Sequence, residues 1–186
     1  MLPIALDLAD WPVILAGAGR AAELRLALLD DAGAADVTVF APDPTPELRA
    51  AAGARLRERL PGTEEIAAAR LLLLAGLDTA VAAPLAEAAR RHRVLVNTED
   101  NPEHCDFHMP AVVRRGALLL SVSTGGASPA LARRIRLWLA DRFGSEWAAR
   151  LDEAAELRRR LRAEGASPAQ VAAEIEALGD KRGWFG

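Results

Sequence analysis

Short apolar runs alternate with longer amphipathic segments along the chain. The apolar runs are residues 13–16, 37–40, 71–74, 94–96 and 118–123, each bounded by polar or glycine-rich turns. Runs of this length are typical of strands that are buried on both faces of a sheet. Residues 21–31, 84–92 and 129–143 instead place apolar side chains at helical spacing. This alternation predicts an α/β fold with a parallel sheet and right-handed crossovers.

Prolines and hydroxyl side chains mark the predicted starts of several helices. Thr45-Pro46, Ser128-Pro129 and Ser167-Pro168 each join a capping side chain to a proline at the first helical position. The first of these predicts a short helix over residues 46–52, and Gly33 is expected to end the helix over 21–31. The pattern of residues 55–60 does not decide their secondary structure, and a short edge strand is one possibility.

The last forty residues differ in composition from the rest. From Ser145 onward the chain is rich in Ala, Arg and Glu, with apolar positions at helical spacing and a break at Gly165. This pattern predicts an all-helical tail. In the preceding helix, an apolar stripe lies opposite an arginine-rich face. The stripe consists of Leu131, Ile135, Trp138 and Leu139.

Composition narrows the class of protein. The chain has 186 residues, 51% of them apolar, with a net charge of −3 and 4% aromatics. It can bury one core with a smaller unit attached, and it lacks the basic field and aromatic platforms of a nucleic-acid-binding protein. No apolar run is long enough for a membrane span, and acidic Asp7 and Asp10 do not suit a signal peptide, so we expect a cytoplasmic protein. The single Cys105 excludes an internal disulfide.

A glycine-rich turn follows the first predicted strand and opens the first predicted helix. The turn runs Gly17-Ala18-Gly19-Arg20-Ala21-Ala22. It predicts a dinucleotide site: Gly17 for the tight turn, Gly19 for close approach of a pyrophosphate, and Ala22 for close packing. A plain tight turn is the alternative. The first carboxylate after the second strand is Asp43, which either binds a ribose hydroxyl or belongs only to a proline-rich turn.

The remaining candidate functional residues follow the ends of two predicted strands. Asp100 follows the strand over residues 94–96, and a turn with Gly125 and Gly126 follows the strand over 118–123. Since ligands bind at the carboxyl ends of parallel strands, we expect these two ends to share a pocket. There Asp100 is a candidate general acid or base, with a simple turn residue as the alternative, and Glu99 is expected to face away from it. The helix N-terminus at Ser128 is a candidate anion site.

Potential metal ligands cluster between His104 and His108. Their spacing matches no structural zinc pattern, so we expect no permanent metal site. Asp100 and His108 stay candidates for transient contact with a metal ion.

Taken together, these motifs closely resemble the precorrin-2 dehydrogenase family, the dehydrogenase/ferrochelatase module of siroheme synthase. The resemblance extends from Pro3 to about Phe143. It rests on Gly17-Ala18-Gly19, on residues 96–102 and 105–111, and most specifically on residues 121–133. Members of that family oxidise precorrin-2 to sirohydrochlorin with NAD, and some also insert ferrous iron. They are homodimers.

The resemblance implies an organisation and a site. It implies a Rossmann-like NAD-binding domain over residues 1–113, a dimerisation region over 114–144 and a small helical domain over 145–186. Asp100 falls on the family's catalytic aspartate. The implied cofactor contacts are Gly17, Ala18, Gly19, Arg20, Ala21, Asp43, Ala75 and Gly76. The implied contacts to the polyanionic tetrapyrrole are Asn97, Ser123, Thr124, Gly125, Gly126, Ser128 and Arg133.

The chain also departs from the family pattern. It has Ala75-Gly76-Leu77-Asp78 where members usually place a threonine and an acid pair, and Thr98 and Glu99 where apolar residues are usual. These departures leave two alternatives to an NAD-dependent dehydrogenase. One is a ferrochelatase with weakened dehydrogenase activity, and the other is a nucleotide- or tetrapyrrole-binding module without chemistry.

Overall fold

The computed structural model describes residues 2–185. They divide into two compact units, and the boundary lies between Met109 and Pro110. The predicted boundary at residues 113 and 114 falls inside a strand of the second unit. Among residues 2–185, no helix is both long and apolar enough to cross a lipid bilayer.

A parallel sheet forms the centre of the first unit. Its strands are β1 (Pro12–Gly17), β2 (Asp36–Phe40), β3 (Leu56–Arg57), β4 (Leu71–Ala75) and β5 (Leu95–Thr98), in the order β3-β2-β1-β4-β5. The chain first adds strands on one side of β1 and then crosses to the other side. The gap between β1 and β4 is therefore a topological switch point, where α/β sheets bind ligands.

Helices cover both faces of this sheet. They are α1 (Gly19–Asp31), α2 (Pro46–Ala52), α3 (Thr63–Ala68) and α4 (Thr79–Arg91). Leu73 of β4 packs in the apolar layer of α1 and α2, while Leu72 and Leu74 pack in the layer of α3 and α4. Burial on both faces explains why β4 is an unbroken run of leucines, as the pattern predicted.

Two helices of the first unit differ from the sequence expectation. α4 begins at Thr79 rather than at Pro84, because the Asp78 carbonyl accepts the backbone N–H groups of Val81 and Ala82 at 2.9 Å and starts the helix earlier. Pro84 lies inside the helix, where it removes one backbone donor. α3 was not predicted. Its first turn is held by Glu65, whose carboxylate accepts the Gly62 N–H at 2.8 Å.

The second unit begins with a β-hairpin. β6 (Ala111–Arg115) and β7 (Leu118–Val122) pair antiparallel, with Arg115 opposite Leu118. The two-residue loop between them places Gly116 at φ +57°, a conformation that glycine adopts readily. Three helices follow: α5 (Pro129–Arg142), α6 (Glu146–Ala163) and α7 (Pro168–Lys181).

The placement of the strand over residues 118–123 in the parallel sheet was wrong. β7 alternates between half-buried and exposed residues, so only one of its faces is covered. A parallel partner would need a crossover connection of about a dozen residues, whereas two residues suffice for the antiparallel hairpin that forms. The strand ends after Thr98 and Val122 therefore belong to different sheets and different units.

The helix caps at Ser128 and Ser167 and the helical structure of the last residues agree with the predictions. Ser128 accepts the Leu131 N–H at 3.2 Å and starts α5, and Ser167 accepts the Gln170 N–H at 3.3 Å and starts α7. The apolar stripe of α5 is only partly covered within the second unit, since Leu131 is 52% exposed and Trp138 59% exposed.

Candidate functional site

The loops after β1 and β4 are in direct contact at the carboxyl edge of the parallel sheet. The Ala18 N–H donates to the Ala75 carbonyl at 3.0 Å. A Cβ at Gly17 would lie 2.5 Å from that carbonyl oxygen and 2.9 Å from the Ala22 Cβ, and a Cβ at Gly76 would collide with the Ala18 carbonyl oxygen. Gly17 and Gly76 are therefore sterically required. This contact explains why the chain has a glycine at position 76, where the family pattern has another residue.

The N-terminus of α1 is free of protein caps. Ala18 has extended backbone and makes no side-chain cap, and the first turn carries no acid. Gly19 has φ +56° and open space where its Cβ would stand. The first-turn N–H groups of an α-helix lack intrahelical partners and favour an anion. Gly19 therefore leaves room for a phosphate to approach the N–H groups around Arg20 and Ala21.

Acidic groups lie where β2 ends. Asp43 is exposed on the turn that leads to α2. Glu23 of α1 accepts the Thr45 hydroxyl at 2.6 Å and pairs with Arg20 at 2.9 Å. The Thr45 hydrogen bond, followed by the Arg20 guanidinium, lowers the pKa of Glu23. Asp43 and Glu23 supply carboxylates at this end of the sheet, with Arg20 and Arg49 beside them, and a carboxylate can accept the hydroxyl groups of a ribose.

Asp100 occupies a tight turn directly after β5. The Asn101 N–H donates to the Thr98 carbonyl at 3.4 Å, and Asp100 is the third residue of that turn with φ +55°. A left-handed backbone is uncommon for residues other than glycine, and Asp is one of those that adopt it most readily. The residue is exposed rather than turned into the interior. β5 and β1 flank β4, so the two strands that lead to the Asp100 turn and to the glycine turn are about 10 Å apart.

Glu99 contributes a contact that the sequence did not reveal. Its carboxylate accepts the Gly76 N–H at 3.1 Å and lies 3.8 Å from the Arg25 guanidinium. Together with Ala21, Leu24 and Leu28, Glu99 and Arg25 line an open cavity of about 190 Å³. The contact depends on the pairing of β4 with β5, which no local pattern specifies. It connects the Asp100 turn to the loop after β4, and that loop contacts the glycine turn.

Other candidates of the first unit are placed differently. Asn97 is 7% exposed, and its amide nitrogen donates to the Phe107 carbonyl at 2.9 Å, which favours a structural role over contact with a substrate. His108 is exposed. Within residues 2–185, no group of three or more His, Cys, Asp or Glu side chains is arranged to hold a metal ion.

The remaining candidates form the loop between β7 and α5 in the second unit. The Thr124 hydroxyl accepts the Ser128 N–H and donates to the Ser128 carbonyl, both at 3.1 Å, and the Ser123 hydroxyl accepts the Gly125 N–H at 3.2 Å. Gly125 and Gly126 both have positive φ angles, of 64° and 84°. Arg133 is exposed on the second turn of α5. The loop is thus a compact cap at a helix N-terminus.

The first unit has the strand order and glycine turn of a dinucleotide-binding α/β domain. Residues 4–111 match the family model described as "Putative NAD(P)-binding", and residues 115–140 match "Sirohaem biosynthesis protein central". The chain belongs to this family, that of the precorrin-2 dehydrogenase module of siroheme synthase.

Similarity to individual proteins supports this family assignment. The siroheme synthase of Methylococcus capsulatus is 45% identical over 168 residues, which cover 87% of this chain and 34% of the relative. That of Nitrosospira multiformis is 38% identical over 176 residues, covering 91% and 37%. The chain thus spans about a third of the length of these curated relatives. The solved structure "SirC, precorrin-2 dehydrogenase" has the same fold, with a TM-score of 0.78 at 24% identity, covering 100% of this chain and 93% of that one.

Proposed function

We propose that this chain oxidises precorrin-2 to sirohydrochlorin with NAD as the hydride acceptor. The observation that carries the proposal is the carboxyl edge of the sheet, where the loop after β4 joins the turn of the exposed Asp100 to the glycine turn and the uncapped N-terminus of α1. Family membership and the relatives named siroheme synthase support the choice of substrate.

The residues of the carboxyl edge fit a dinucleotide. Gly17, Ala18 and Gly19 would hold the pyrophosphate, with the N–H groups of Arg20 and Ala21 directed at its charge. Asp43 would bind a ribose hydroxyl, and the loop at Ala75 and Gly76 would line the opposite side. When bound, NAD supplies an acceptor for the hydride that leaves a ring carbon of the substrate.

Asp100 acts as the general base in this proposal. Oxidation removes a hydride and a proton from the substrate, and the Asp100 carboxylate takes the proton. Its exposure permits contact with a large planar substrate, and the turn that carries it has little freedom to move away.

The loop between β7 and α5 would bind the substrate's carboxylates. Ser123, Thr124, Gly125, Gly126 and Ser128 present a helix N-terminus, and Arg133 adds a cation on the same helix. Both features favour anions, so they complement a tetrapyrrole that carries many carboxylates.

Ferrous iron enters the proposal only as a second substrate. Asp100 and His108 are exposed and would contact the ion transiently during insertion into sirohydrochlorin. The departure at Gly76 and Leu77 suggested the alternative of a ferrochelatase with weakened dehydrogenase activity. The contact between Gly76 and the Ala18 carbonyl now accounts for that glycine, so the departure does not favour this alternative.

We further propose that the chain works as a cytoplasmic homodimer. The exposed apolar side chains of α5 and β7 support an interface in the second unit. They are Leu119, Leu131, Leu137 and Trp138.

Purified protein incubated with precorrin-2 and NAD tests the function directly. We expect the sirohydrochlorin spectrum and NADH to rise together in equal amounts. Binding of both compounds without turnover would contradict the proposal and favour a binding module. Iron insertion into supplied sirohydrochlorin without any NAD-dependent oxidation of precorrin-2 would favour the ferrochelatase.

A further inference from the structure

We propose that Cys105 is a positioning residue for Asp100: its thiol holds both ends of the turn that carries the carboxylate. The inference rests on the proposed function, because it gives Cys105 a role in catalysis through Asp100. Cys105 itself is half-buried and lies in the segment that returns past β5 after the turn.

The thiol contacts the backbone on both sides of Asp100. The Cys105 sulfur accepts the Thr98 N–H at 3.2 Å, and it lies 3.1 Å from the Thr98 carbonyl and 3.3 Å from the Asn101 carbonyl, which share its proton. The Asn97 amide nitrogen approaches the same sulfur at 3.5 Å. Thr98 and Asn101 are the first and last residues of the turn, so one side chain fixes both of its ends.

This arrangement compensates for an open sheet edge. β5 is the last strand of the sheet, and its outward N–H groups, those of Val96 and Thr98, have no neighbouring strand. Asp106 accepts the Val96 N–H at 3.0 Å through its carboxylate and donates its own N–H to the Val96 carbonyl at 2.8 Å. Cys105 holds Thr98 in a similar way, but through its thiol alone, which contacts both the Thr98 N–H and the Thr98 carbonyl. Cys105 and Asp106 therefore supply the hydrogen bonds that a sixth strand would make to Val96 and Thr98, next to the start of the turn.

Asp100 depends on this support for its position. Its left-handed backbone is unfavourable for a residue with a Cβ, and such conformations persist only where the surroundings fix them. Among residues 2–185, no hydrogen bond of the Asp100 side chain is found, so its location is set by the turn alone. Other hydrogen bonds each hold one part of the turn: the Thr98 hydroxyl donates to the His104 carbonyl at 3.1 Å, and the His104 N–H donates to the Asn101 carbonyl at 3.1 Å. The Cys105 thiol contacts both ends.

A double-mutant cycle tests the inference. Cys105→Ala removes every sulfur contact, and we expect kcat for precorrin-2 oxidation to fall between about 10-fold and 100-fold, because small misplacements of a reacting group cost that much. KM for NAD should stay unchanged. Cys105→Ser keeps a donor and an acceptor and should recover most of the loss. In an Asp100→Asn background, Cys105→Ala should cause no further fall, since groups that act as a unit are not additive.

A matched control separates positioning from general stability. Val37→Ala creates a cavity in the core of the same unit, away from the turn. It should leave kcat unchanged at a temperature where both variants are folded. Amide hydrogen exchange supplies a readout that needs no activity: residues 98–105 should exchange faster in Cys105→Ala than in Val37→Ala.

Each outcome bears on one of the two proposals. An equal loss from Cys105→Ala with and without Asp100 would overturn the positioning role, as would unchanged kcat or unchanged exchange over residues 98–105. If wild type and Asp100→Asn turn over equally, the function of Asp100 fails, and the catalytic part of this inference fails with it. Faster exchange would then still show that Cys105 holds the turn.

Discussion

Alanine substitutions at three glycines should separate backbone conformation, packing and ligand approach. Gly19, Gly33 and Gly76 all have positive φ, at 56°, 76° and 66°. Each alanine therefore incurs the left-handed penalty of about 1–2 kcal/mol. Only at Gly76 does the new Cβ also collide with protein, at the Ala18 carbonyl oxygen, while it stands 3.1 Å from the Ala21 Cβ.

The collision sets the expected order of stability. Relieving it requires a shift of the loop after β1, and overpacking of this kind adds about 1–3 kcal/mol. Gly76→Ala should thus lower the free energy of unfolding of the first unit by about 2–5 kcal/mol, against about 1–2 kcal/mol for Gly33→Ala and Gly19→Ala. Amide hydrogen exchange of β1 and β4 measures the first unit by itself.

NAD affinity should rank these variants differently. Gly33 lies just after the C-terminal end of α1, away from the glycine turn at its start, so Gly33→Ala should bind NAD as wild type does. Gly19→Ala places a methyl group in the open space at the start of α1, and we expect its Kd for NAD by calorimetry to rise by about 10-fold or more, which is 1.4 kcal/mol. Equal stability of Gly76→Ala and Gly33→Ala would refute the packing argument. Wild-type NAD affinity in Gly19→Ala would refute the ligand-approach argument.

Three further predictions concern charge. Hydrogen bonds from Arg59 and then from the Gly62 N–H lower the pKa of Glu65 from 4.5 to about 2, so Glu65 stabilises the fold above pH 4.5 and this contribution is lost toward pH 2. In urea unfolding, the gap between wild type and Glu65→Gln should be about 1 kcal/mol or less and vanish over that range; a gap that persists at pH 2 contradicts the assignment. Arg115 donates to two carbonyls at the end of α5, at 2.8 and 3.1 Å, so Arg115→Met should destabilise the second unit by about 1–3 kcal/mol by hydrogen exchange. The exposed Arg114→Met is the control, and equal effects would count against the cap. Asp43→Asn should raise the affinity for NADP relative to NAD, and an unchanged ratio by calorimetry would remove Asp43 from the ribose site.

Local signals predicted the elements that depend on local chemistry. The apolar runs of β1, β2 and β4 and the caps at Thr45, Ser128 and Ser167 were confirmed. Pro84 misled because a proline at the first helical position and one inside a helix look alike in sequence. β7 was misassigned because an apolar run does not reveal whether its partner is parallel or antiparallel, although Gly116 was a hairpin signal.

The parts of the site that depend on local sequence signals were predictable. The glycine turn and the exposed Asp100 follow from residue type and from the ends of β1 and β5. The contact of Glu99 with Gly76 and the contacts of the Cys105 thiol depend on which strands are neighbours and on the path of the chain after β5. Such contacts join residues that no local pattern relates.

Asp100→Asn tests the central claim most directly, because it removes the proton acceptor while keeping the shape and backbone preference of the turn. NAD affinity by calorimetry and turnover of precorrin-2 should be measured on the same sample. We expect wild-type NAD affinity and a fall in kcat of about 100-fold to 10,000-fold. Undiminished turnover in this variant would contradict the assignment of Asp100 as the general base at the carboxyl edge.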